Sequence, residues 1–203
     1  SLVINGSGSI TGLAVGGLPD GTVDSGTLAT NSVDSAELID GAVDDSHMAA
    51  MAASKLSGTV ATARLPAGTV LQVVVGETTT QTVHNTTSFA ATHISAAITP
   101  SSTSSKILVS VTSNLESNGA GERAVFSLYR GTTPIAEGHT LQPTGASGSI
   151  VFPIALSKLD APSTANAVTY ALYIKRTGAT IVANINGGGS TTMGTITLSE
   201  IAV

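Results

Sequence analysis

From Gly21 onward the chain restarts one phrase every ten residues, GTVDSGTLAT, NSVDSAELID and GAVDDSHMAA, with Val-Asp at the third and fourth positions and Leu or Met at the eighth. A short unit repeated head to tail builds an extended rod, because each copy packs only on its neighbours. The apolar positions Val23, Leu28, Val33, Leu38, Val43 and Met48 recur every five residues, which suits neither a helix nor a strand alone. A mixed unit fits better. Val closes a short extended piece, Asp24, Asp34 or Asp44 stands as a helix cap, and about one helical turn follows. The second copy spells a capping box, Asp34-Ser35-Ala36-Glu37. One turn of helix cannot stand by itself, since its nucleation costs more than one hydrogen bond returns. Two apolar anchors per repeat are too few to close a core within one chain, yet they suffice to line the axis of three. The repeat therefore predicts a homotrimeric stalk, with those six apolar residues on its axis; a two-chain bundle is the alternative.

Composition divides the chain. Residues 1–60 hold seven acids, Asp20, Asp24, Asp34, Glu37, Asp40, Asp44 and Asp45, against one base, Lys55, whereas the remainder is close to neutral within a net charge of −5. No basic stripe with interleaved aromatics exists, which excludes nucleic acid as the expected partner. There is no cysteine, so disulfides and thiolate metal sites are excluded. The opening Ser-Leu-Val-Ile-Asn-Gly lacks the basic start and apolar run of a secretory leader. No apolar stretch reaches the roughly 20 residues that cross a bilayer, so no membrane insertion is expected.

Three regions follow. Residues 1–20 are Gly-rich, with turns at Gly6, Gly8, Gly16-Gly17 and Pro19-Asp20-Gly21, and bury so little alone that they are expected to order only against other copies or a larger body. Residues 21–68 form the repeat shaft and a neck, Ala-rich from Ser46 to Leu56 and broken at Gly58, Pro66 and Gly68. Residues 69–203 are a head built from β runs. Hydrophobic residues are 41% of the chain but aromatics only 3%, so Val, Ile, Leu and Ala must fill the core, and β-branched side chains suit a pleated surface. Strands are expected over 69–75, 82–89, 93–98, 106–113, 123–129, 149–156, 167–176, 180–185 and 192–203. In the seventh, Val168, Tyr170, Leu172 and Ile174 alternate with Thr169, Ala171, Tyr173 and Lys175. Nine short strands between Gly, Ser, Thr, Asn and Pro turns, with no βαβ pattern, predict an antiparallel β-sandwich of jelly-roll type.

Catalytic patterns are weak. His84 and His93 flank an expected turn, His47 lies in the repeats, and His139 follows Glu137 in an expected loop; none sits in a GxSxG elbow or an HExxH helix. The acid pairs Glu116 with Glu122 and Glu137 with Asp160 fall in loop-like segments, where solvated charge is the ordinary state. The recurring Asp residues lack the converging oxygens of a calcium loop, and Asn186-Gly-Gly-Gly-Ser190 lacks the lysine and helix of a phosphate loop. No enzyme, cofactor or metal is expected. Polar loops at 117–122, 138–148 and 186–191, with Asn118, Asn186 and Ser190, are the candidate receptor contacts.

The phrases LVINGSGSITGL, VDSAELIDGAVD and, most specifically, LPAGTVLQVVVGETTTQTVHNTTSFAATHISAAITPSSTSSKILVSV, with the closing TITLSEIAV, resemble fibre proteins of tailed bacteriophages, particularly those of aquatic bacteria. The resemblance covers nearly the whole chain. It implies a trimeric virion appendage assembled in the host cytoplasm, attached to other virion proteins through its N-terminal segment. The β-rich head would touch a glycan or lipopolysaccharide on the host surface. A capsid-decorating or head fibre with a structural role is the alternative, and a polysaccharide-cleaving enzyme ranks behind both.

Overall fold

The chain divides into two units, Ser1–Gly58 and Thr59–Val203. A computed structural model describes residues 57–58, 60–117, 120–121, 123–145, 148, 150–177, 183–185 and 192–203, together with Val43. The described part of the second unit is mainly strand, with almost no helix. After one 3-10 turn at Thr62–Arg64 come β1 (Val70–Thr78), β2 (Thr82–His84), β3 (Ala90–Ile98), β4 (Lys106–Ser117) and β5 (Arg123–Arg130). Then follow β6 (Thr133–Leu141), β7 (Ile150–Asp160), β8 (Val168–Arg176), β9 (Ala183–Ile185) and β10 (Gly194–Ile201).

These strands form two antiparallel sheets. In the first, β1, β10, β4 and β7 lie side by side, and β2 and β9 extend the β1 and β10 columns. The second has the order β3, β8, β5, β6. Neighbours in a sheet are mostly distant in sequence, as in a sandwich wound by Greek-key connections. The head is a two-sheet antiparallel β arrangement, as the run of short strands predicted.

Alternation sets the core. On β4, Ile107, Val109, Val111 and Leu115 are buried while the intervening residues face out. They meet Ile94 and Ile98 of β3, Phe126 and Leu128 of β5, Tyr170, Leu172 and Ile174 of β8, and Ile196 and Leu198 of β10 in one apolar cluster drawn from both sheets. Only two of the six aromatic residues, Phe126 and Tyr170, belong to that buried cluster. Both prolines within strands, Pro134 and Pro153, sit on β6 and β7, each paired along one side only, where a missing N–H costs no ladder bond.

Three expectations are corrected. The strand expected over 82–89 ends at His84, and residues 85–89 connect it to β3. Its Asn and Thr residues favour local side-chain bonds, such as that from Thr86 Oγ1 to the Ser88 carbonyl at 3.0 Å, over a ladder. Conversely β6 was not expected. Its Pro134, Glu137 and Gly138 argue against a strand, yet β5 turns directly into it through Gly131-Thr132, with Arg130 opposite Thr133 and Gly131 at φ 56°. Gly138 is required there by packing, because a Cβ would stand 2.6 Å from the Phe126 ring. The expected polar loop at 138–148 is therefore strand as far as Leu141, and His139 and Glu137 are strand residues.

Candidate functional site

Two buried polar clusters and two unlike outer faces are the places where this head departs from plain sandwich packing. In the first cluster Asp160, at the end of β7, accepts a 2.7 Å bond from the Tyr170 hydroxyl and bonds of 2.9 and 3.1 Å from Arg130 Nη1, which also donates to the Ala161 carbonyl at 3.2 Å. Burial, then the hydrogen bond and charge of Asp160, push the Tyr170 phenol well above its ordinary value, with Arg130 opposing. Asp160 thus stitches β7 of one sheet to β5 and β8 of the other.

The second cluster surrounds Glu200, which is wholly buried on β10. One carboxylate oxygen accepts from the Ser101 amide at 2.7 Å and the Ser101 hydroxyl at 2.6 Å; the other accepts from Gln72 Nε2 at 2.6 Å, which also donates to the Thr99 carbonyl. Burial alone would raise this carboxyl, but donation from Ser101, Gln72 and Ser105 holds it below its ordinary range. The carboxylate binds the β3–β4 connection to the sheet below it.

The outer face of the second sheet gathers aromatics. Alternation on β8 sends Tyr170, Leu172 and Ile174 inward and leaves Tyr173 and Lys175 outside. Tyr173 pairs with Ser127, whose neighbour Tyr129 lies on the diagonal, within reach of an aromatic ring. The two tyrosine rings stack with centroids 4.0 Å apart, Phe89 meets Tyr129 edge-on at 5.8 Å, and Lys175 Nζ stands 4.2 Å from the Phe89 centroid. Half of the chain's three Phe and three Tyr residues are therefore spent on one partly exposed platform, flanked by the outward Arg123 of β5 and by His139 and Glu137 of β6.

The outer face of the first sheet is the opposite in character. Its central rows read Val73, Ser199, Leu108, Leu159 and then Val75, Thr197, Ser110, Ser157, without a charge, and the next runs Glu77, Thr195, Thr112 and Ala155. Glu77, Lys106 and Glu116 stand only at its margins.

The histidines do not converge. His93 Nδ1 bonds Thr82 Oγ1 at 2.8 Å and His84 Nε2 lies 3.2 Å from the Ala91 carbonyl, while His139 is exposed on β6; His47 lies outside the described residues. Among the described residues no group of three metal-binding side chains occurs. Glu137 and Asp160 are not brought together as a site, since Glu137 faces out on β6 and Asp160 is committed to Tyr170 and Arg130; Glu116 is on β4 rather than in a loop. Glu122 lies outside the described residues, as do Val23, Leu28, Val33, Leu38, Met48, Asp24, Asp34, Asp44, Asn118, Asn186 and Ser190. Val43 is 47% exposed in the single chain. The aromatic platform was missed from sequence, although the two-residue period of β8 already separates Tyr173 from the inward Tyr170. Phe89 carried no such signal, because it precedes β3.

No family model and no curated protein matches the chain. Solved structures that share some geometry include dimeric latent PorU from Porphyromonas gingivalis (11% identity, TM-score 0.35, 68% of this chain and 14% of that one). The infectious bursal disease virus VP2 subviral particle matches at 10% identity and TM-score 0.30, over 66% of this chain and 42% of that one. Bacteriophage CBA120 tailspike protein 4 matches at 9% and 0.23, over 67% and 20%. The chain spans less than half the length of each.

Proposed function

We propose that this chain is a fibre subunit of a tailed phage, with residues 1–20 attaching it to other virion proteins, residues 21–68 forming a homotrimeric shaft, and residues 69–203 forming a jelly-roll head that binds a glycan or lipopolysaccharide on the host surface without chemistry of its own. The observation that supports host contact is the platform of Phe89, Tyr129, Tyr173 and Lys175. Ring faces pack against the C–H face of a sugar, while phenol hydroxyls and an ammonium satisfy its oxygens and any acidic substituent. One such contact is weak. Three identical heads on one shaft convert it into avidity.

The test is binding of fluorescently labelled full-length protein to a panel of intact aquatic bacteria and, separately, to phage particles. Strain-selective binding to cells is expected, and Tyr173→Ala should lower it about tenfold or more, since roughly 0.5–1.5 kcal/mol lost per head is multiplied across three. Binding to particles alone would favour a decorating role, and release of reducing ends from capsule would favour an enzyme.

A further inference from the structure

We infer that the uncharged outer face of the first sheet, made by β1, β10, β4 and β7, is the surface through which the heads of separate copies pack on one another. The inference rests on the trimeric reading above and adds where the contact lies. Six of the twelve exposed large apolar side chains among the described residues, Val73, Val75, Leu108, Val151, Leu159 and Met193, fall on this face. Between them stand hydroxyls and small side chains: Thr195, Thr197, Ser199, Ser110, Thr112, Ala155 and Ser157. A free sheet face ordinarily carries polar and charged residues at these alternate positions, as the second sheet does with Arg123, Lys175, Glu137 and His139. Depletion of charge at the centre with charge kept to the rim is the composition of a protein interface.

A second copy of this chain is the occupant that fits. The centre of the face offers no charge to complement, so it does not suit an ionic partner. Four strands about 4.8 Å apart that share a stretch on the order of eight residues give a patch on the order of 500–600 Å² in projection, close to the roughly 800 Å² per partner that stable interfaces bury. The chain leads into β1 on this sheet: Gly68 N donates to the Ala202 carbonyl and Ala202 N to that of Thr69, at 2.8 and 2.9 Å. Copies joined by the preceding 58 residues would thus hold these faces at high mutual concentration.

The absence of native cysteine makes the test direct. Single substitutions Ser110→Cys and Thr197→Cys on this face, and Thr169→Cys on the exposed side of β8, are made in the full chain. Each is measured by sedimentation and by its rate of modification with a maleimide–polyethylene glycol. Trimers in which the first two thiols react at least about tenfold more slowly than the third, and as fast as it in denaturant, are expected. Trimers in which all three react alike would overturn the interface while leaving the trimeric fibre standing. A monomer would overturn both, and a monomer with the face still protected would mean that the chain's own N-terminal segment covers it, which also overturns the inference.

Discussion

Replacing Glu200 with alanine should destabilise the head by about 3 kcal/mol or more, because it removes a wholly buried carboxylate that several donors share, and each hydrogen bond to a charged group contributes roughly 1.5–3 kcal/mol. The donors are the Ser101 amide and hydroxyl and Gln72 Nε2, joined by the Ser105 hydroxyl. Glu200→Gln keeps the shape but turns an amide NH₂ toward groups that already donate, so it should recover only part of the loss. The effect has a definite pH dependence. The folded carboxyl lies below its ordinary value of 4.5, so the unfolded chain takes up the proton first on acidification. The stability due to Glu200 is complete above 4.5 and disappears as pH falls through the lower folded value. Urea midpoints measured from pH 7 downward should fall more steeply below that point in the native protein than in Glu200→Gln. Parallel profiles would show that the carboxylate is not held by these donors.

The substitution Gly76→Ala should be nearly as damaging, although it adds a single methyl group. Gly76 pairs with Ile196, and a Cβ built there would overlap the Ser95 carbonyl oxygen of β3 and lie 3.0 Å from Ile196 Cγ2. The obstacle is backbone of the other sheet, so no side-chain rotation relieves it; β1 and β3 must separate. Overpacking of this kind costs about 1–3 kcal/mol, occasionally more, which for a head of this size lowers the melting temperature by roughly 5–10 °C. Gly145→Ala is the control, since nothing lies within 4 Å of its Cβ and only its φ of +90° opposes the change. Equal melting points for the two variants would show that the sheets do not meet at Gly76.

Most strands were legible where alternation was clean. β4 and β8 each carry buried residues at every second position, and that pattern is a local property of the chain. β6 was illegible because edge position excuses Pro134, and because Gly138 is a response to the Phe126 ring, which sequence does not place beside it. The receptor candidates were sought in polar loops, whereas the aromatic platform is made by three separate segments meeting on one sheet face.

What the amino-acid sequence determined by itself was the class of the molecule: a ten-residue repeat followed by short alternating strands poor in aromatics and charge, features that depend only on neighbours along the chain. Tertiary structure alone decided which strand lies beside which. That choice put Gln72 and Ser101 around Glu200, Arg130 and Tyr170 around Asp160, and one uncharged face on four strands from opposite ends of the head. The physical reason is that sheet pairing and core closure join residues far apart in sequence, so the partners of a buried charge and the character of a face exist only once the sandwich has closed.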